Sequence, residues 1–157
     1  MSVWRKLIVF APVSLSITLL LSSCEDKVTQ CQRLIQVVNA GNSLIHQNKG
    51  KQVVTSLQLS KDLQVITKSL QELNLSDSKL KEFKSNFAKI FQNLSQAIAT
   101  ASQALGKAKN AEASPTGREK LQKARTEIDT SLTAAETAGQ KSDALVEDLN
   151  KYCGQSQ

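Results

Sequence analysis

The chain has 157 residues, with 20 Lys or Arg against 14 Asp or Glu and a formal net charge of +6. Aromatic residues make up only 4 %, which excludes a thick aromatic core. Ala, Leu, Ser, Gln and Lys dominate, which favours helix over sheet, and the length fits one domain.

In chain order the first segment is apolar. Arg5 and Lys6 form a short positive region, and Leu7 to Leu21 is an apolar run broken by Pro12 and several Ser and Thr. A spanning helix needs roughly 18 or more mostly apolar residues. This run has 15, so a retained membrane span ranks second. An ordinary cleaved signal ends in a small-x-small site. Leu21-Ser22-Ser23-Cys24 instead resembles the lipobox of bacterial lipoproteins: an aliphatic residue, two small residues, then the cysteine that is lipidated. The resemblance covers only the first 24 residues and names a processing route. It implies that residues 1–23 are removed as a signal peptide and that Cys24 carries the lipid. The mature chain then has 134 residues (157 minus 23). At roughly 0.8 kcal/mol per buried methylene, two or three acyl chains make such an anchor essentially permanent. The implied location is the cell membrane or outer membrane, facing periplasm or exterior.

With Cys24 assigned to lipid, Cys31 and Cys153 remain. An exported protein meets an oxidising compartment, so the pair is expected to form a disulfide. That bond brings the two ends of the mature chain within about 7 Å at Cα. In an antiparallel bundle, both ends meet at one pole only if the helix count is even. Residues 24–30 then serve as lipid attachment and tether, 31–153 as the helical domain and 154–157 as a tail.

Periodicity gives four helices. The first is expected from about Asp26 to His46, with Val28, Cys31, Ile35, Val38 and Ile45 on one face, ended near Gly50, which suits a left-handed cap. The second runs from Lys51 to about Leu73, and Leu59, Leu63, Ile66, Leu70 and Leu73 step 4-3-4-3. Asn74 to Asp77 breaks it, and Ser76 or Asp77 can cap the third helix. There Leu80, Phe83, Phe87, Ile90, Leu94, Ala97, Ala101, Ala104, Ala108 and Ala111 alternate steps of three and four. Phe91, Ile98 and Leu105 widen that stripe toward a multi-helix bundle. Residues 113–117 form a turn, and Thr116 with Glu119 reads as a capping box opening the fourth helix. Its seam follows Leu121, Ala124, Ile128, Ser131, Ala135, Ala138, Ser142, Leu145, Leu149 and Tyr152. The expected fold is an all-α, antiparallel up-down four-helix bundle. At about 1.5 Å per residue, its longer third and fourth helices project as a hairpin by about 15–20 Å. A disulfide beside the lipid places the base on the membrane and the hairpin away from it. Small lipidated four-helix bundles attached to photosystem II in cyanobacteria are similar in general form, although the chain carries none of their motifs.

Charge is uneven. Residues 79–125 hold ten Lys or Arg against three acids, and residues 126–157 hold two against six. Lys107, Lys109, Arg118, Lys120, Lys123 and Arg125 make the hairpin tip basic. A solvated helix surface explains such charge in the ordinary case. The functional alternative is a basic tip that steers a protein partner with an acidic surface. Nucleic acid fits poorly, because no stacking aromatics or binding motif accompany the cations. Catalysis lacks machinery: His46 is the one histidine, and no phosphate loop, nucleophile elbow or metal-ligand spacing is present. Phe83, Phe87 and Phe91 read as core. The expected role is a non-catalytic structural or interaction module without metal or cofactor. The alternative is a small-ligand carrier using a gap beside the phenylalanines. Oligomeric state stays open.

Overall fold

The computed structural model describes residues 26–48 and 53–154. The leader, Cys24, Gly50 and the last three residues lie outside it. Helix α1 spans Lys27–Gln47, α2 Val53–Glu72, α3 Ser78–Lys109 and α4 Pro115–Gly154. Every regular element among the described residues is a helix. The chain runs up, down, up and down, and α3 and α4, with 32 and 40 residues, are the long pair. None of the described helices is long and apolar enough to cross a membrane.

Helix α3 is the hub. It packs along α4 on one side and along α2 on another, while α2 and α4 stay apart and α1 touches all three. The reason lies in its sequence. Its large residues cover two faces, so Leu80, Phe83, Phe87, Ile90, Phe91 and Leu94 are all buried. Phe87 and Phe91 are fully enclosed. Burying one such side chain contributes roughly 1.5–3 kcal/mol. The α2 seam is as expected, with Leu59, Leu63 and Leu70 buried and Ile66 and Leu73 packed at the edge.

Helix α1 sits a little differently. Its buried face is Gln30, Cys31, Leu34, Val38 and Gly41, while Ile35 and Ile45 lie at the margin. The shift follows from Gly41. A Cβ there would lie 2.7 Å from the Phe91 ring and 3.2 Å from Ile66, so only glycine lets α1 settle this close to α3. Between α2 and α3 the close approach is polar. Ser60 Oγ donates to the Ser95 carbonyl at 2.9 Å and Ser95 Oγ donates to the Ser60 carbonyl at 2.8 Å. Two buried hydroxyls thereby satisfy each other's backbone, as buried polar groups require.

Asp77 caps α3, its carboxylate accepting from Leu80 N–H at 2.8 Å. At α4 the expected capping box gives way to another device. Helix α4 begins at Pro115, and Ser114 Oγ accepts from Gly117 N–H at 3.0 Å. Proline at the first helical position loses no hydrogen bond and arrives with a helical φ, so the helix starts two residues earlier than Thr116 allows. Leu121 also departs from its expected seam position and is 43 % exposed.

The projecting hairpin is shorter than helix lengths alone suggest. Ser56 of α2 lies beside Ala101 and Ser102 of α3. Helix α2 starts three residues before Ser56, at Val53, so only about residues 106–109 of α3 rise beyond its start, about 6 Å at the helical rise.

Candidate functional site

The two poles differ in construction. At the base, Cys31 and Cys153 are joined, with their Cα atoms 5.9 Å apart. One residue before Cys31, the buried Gln30 clamps the α2–α3 connection. Its Oε1 accepts from Ser76 N–H at 2.7 Å and Asp77 N–H at 3.0 Å, and its Nε2 donates to Ser76 Oγ at 2.8 Å. Arg33 donates to the Asn74 carbonyl at 2.6 Å. Tyr152, one residue before Cys153, donates its hydroxyl to both oxygens of Asp77, at 3.1 and 3.0 Å. Its ring lies 5.9 Å from that of Phe83, and Lys27 Nζ sits 3.6 Å above it. The base thus joins the start of α1, the α2–α3 connection and the end of α4.

Those contacts shift two titrations. The Asp77 carboxyl is held below its ordinary value, first by the Leu80 N–H and then by the Tyr152 hydroxyl. The Tyr152 phenol is pushed up by its apolar surroundings and then by the bond to Asp77, which favours its protonated form.

At the tip, all six expected cations are exposed, and they do not form one patch. Lys107, Lys120 and Lys123 converge with Asn110 and Glu127 on an open hollow of about 490 Å³. Within it Lys107 Nζ pairs with Glu127 at 3.3 Å. This outer face of the hairpin continues downward as a groove in which Asn93, Gln96, Thr100, Thr130, Thr133 and Thr137 flank Ile90, Ala97, Ala134 and Ala138. Arg125 lies on the inner face with Leu121, Ile128 and Ala108, beside Gln122, Thr126 and Asp129. Arg118 stands seven residues before Arg125 and shares that face of α4. The outer lysines therefore keep Glu127 as a local acid, and Arg125 on the inner face shares its hollow with Asp129. Exposed pairs of the Lys107–Glu127 kind contribute little stability.

Among the described residues the phenylalanines are closely packed. Phe87 and Phe91 have no exposed surface, their rings stack at 6.3 Å, and Gly41 closes on Phe91. His46 is exposed in the last turn of α1. Among the described residues no group of His, Cys, Asp or Glu is placed to hold a metal.

Sequence periodicity missed Gln30, Gly41 and Ser114. The signal for Ser114 was the proline after it; for Gln30 and Gly41, partners distant in sequence supply the reason. No family model, curated protein or solved structure matches the chain.

Proposed function

We propose that this chain is a non-catalytic, lipid-anchored envelope protein that holds a basic helical tip away from a membrane for an acidic protein partner. One observation carries the reading: the end of the rod that follows Cys24 and the cationic tip lie at opposite poles. Helix α1 starts at Lys27, three residues after Cys24, so a lipid on Cys24 is at most about 11 Å of chain from the base. The base is also where Cys31 meets Cys153. The tip then faces away from the anchoring bilayer.

The charge at the tip supports the partner class. Six exposed cations on a narrow hairpin give a local positive field, which speeds encounter with an acidic surface and gives selectivity more than raw affinity. The leader supports the compartment, because Leu21-Ser22-Ser23-Cys24 has the order that lipid attachment needs.

Two measurements test this. Mass spectrometry of the protein from its membrane should find an N-terminus at Cys24 carrying acyl chains. A product that retains Met1 and no fatty acid refutes the anchor. Affinity capture of the intact lipoprotein should recover partners that are lost when all six tip cations are replaced by Gln. Equal recovery removes the tip from the mechanism.

A further inference from the structure

We propose that the outer lysine hollow of the hairpin is the docking site for an acidic segment of the partner protein, and that Glu127 occupies it in the free protein as a stand-in for the partner's carboxylate. This rests on the basic-tip reading above. It divides the tip into a face that binds and a face that does not.

Two elements build the hollow. Lys107 and Asn110 come from the end of α3, and Lys120, Lys123, Ala124 and Glu127 from α4. Lys120, Lys123 and Glu127 step 3-4 and so share one face of α4. Ala124 is buried and closes the floor, which leaves the long side chains standing around an opening. Three cations meet one acid there. Glu112 and Glu119, the acids nearest in sequence to the turn, lie outside the lining. On the inner face Arg125 and Asp129 supply one charge of each sign to their hollow. The excess of positive charge therefore belongs to the outer lining.

That hollow already holds one carboxylate. Glu127 pairs with Lys107 at 3.3 Å, and its side chain is 27 % exposed where that of Lys107 is 64 %. The acid is thus the more enclosed of the two. Among the described residues no acid pairs with Lys120 or Lys123. Their ammonium groups offer donors to a second carboxylate beside the first. An exposed pair of the Lys107–Glu127 kind is weak, so an incoming acidic segment can take Lys107 from Glu127 at little cost. Ala124 is the one apolar residue of the lining. Recognition there is electrostatic, fast in encounter and dependent on salt.

The test uses the full chain in non-ionic detergent and a dye-labelled peptide of about eight residues, half of them Glu, read by fluorescence anisotropy at about 0.03 M salt, where screening is slight. Binding is expected, weakening as salt rises. Lys120→Gln with Lys123→Gln should weaken it about fivefold, and Arg118→Gln with Arg125→Gln less than about twofold. Glu127→Gln should tighten it about two- to threefold, the range for single exposed charges. In a Lys107→Gln chain that gain should largely vanish, because Glu127 then has no lysine to release. A merely structural role for Glu127 gives loss of binding and not gain. Circular dichroism and the urea midpoint should match the parent in every variant. The proposal is overturned if the probe does not bind, if Glu127→Gln does not tighten binding, or if the gain persists without Lys107. Equal weakening by the arginine and lysine pairs overturns the hollow and leaves the basic-tip reading standing. Displacement of the probe by inorganic phosphate, beyond that given by chloride at equal ionic strength, assigns the hollow to a free anion. A concentration-dependent association in sedimentation that the lysine-pair variant abolishes assigns it to a second copy. Either result overturns the proposal.

Discussion

Helices α3 and α4 pass through two environments. Up to Leu94, α3 lies between α2 and α4 with Phe83, Phe87 and Phe91 buried. Beyond Ser102 its main neighbour is α4, and the buried positions there shrink to Ala104 on α3 and to Ala124 and Gly117 on α4. Two helices have too little shared surface to enclose a phenylalanine, so alanine is what a two-helix contact can bury. The base gains stability from volume and cross-links. The hairpin keeps only close backbone approach, and it leaves leucines outside. Stability and availability for binding are thus separated along one pair of helices, and each can be disturbed without the other.

Removing the disulfide is the largest disturbance. Cys31 and Cys153 are 122 residues apart, and constraining a loop of that size in the unfolded chain is worth on the order of 4–5 kcal/mol in the entropic account. Cys31→Ser with Cys153→Ser should lower the urea midpoint accordingly, and a reductant should do the same to the parent chain. If the contrast between the regions is correct, hydrogen exchange will show the loss in α1, α2 and the base of α3. An unchanged midpoint would mean that the Gln30 clamp and Tyr152 hold the pole unaided.

A change at Gly41 comes next. Gly41→Val places methyl groups where the Phe91 ring already stands, and overpacking of this kind costs about 2–3 kcal/mol. Phe91→Leu in the same chain should recover part of the loss, and the coupling in that double-mutant cycle measures the contact directly. Additive effects would show that α1 moves aside instead.

How far the sequence disclosed these regions depends on what makes each contact. Helix α3 was readable because large residues at Leu80, Phe83, Phe87, Ile90 and Leu94 follow one register without interruption. The cysteine pair was readable because two cysteines remain once Cys24 is set aside, and an even helix count lets both ends meet at one pole. The face of α1 was blurred, since Ile35 and Ile45 compete with Leu34 for the same role and Gly41 has no hydropathy to reveal it. Ser60 and Ser95 read as surface residues until the two helices are put together. Leu121 satisfied the seam period, yet the period cannot say that the partner layer has ended at that height. For the same reason the six cations read as one patch, whereas the path of α4 past α3 sets Lys107, Lys120 and Lys123 on one face and Arg118 and Arg125 on another.

A smaller effect is confined to the hairpin. A Cβ on Gly117 would collide with the carbonyl oxygen of Glu112, so Gly117→Ala forces the turn before α4 to open. Loss of the Ser114 cap on the Gly117 N–H should accompany it. A lost cap is worth about 1 kcal/mol. Exchange protection should fall around residues 108–121 while the base keeps its own. Loss of protection in α1 or α2 would show that the two regions unfold as one unit, and the contrast between them would fail.

The subtlest effect is on titration, and it reads the base alone. The chain has one tyrosine, so an ultraviolet titration of tyrosinate reports Tyr152 without interference. Its phenol titrates above the ordinary 10.0. A raised folded value means that its contribution to stability is complete below pH 10.0 and is lost as pH rises through the folded value. Asp77 and Asp26 are shifted the other way, below 3.8, each first by a backbone N–H at a helix N-terminus. Their contribution is complete above pH 3.8 and is lost as pH falls through their folded values. Asp77→Asn removes the charge that opposes phenolate and weakens the acceptor for the Tyr152 hydroxyl. The tyrosine titration should therefore move down toward 10.0 in that variant, while the six-Gln tip variant leaves it in place. If neutralising the tip moves it as much as Asp77→Asn does, the two poles share a field along the rod, and the separation of stability from binding no longer holds.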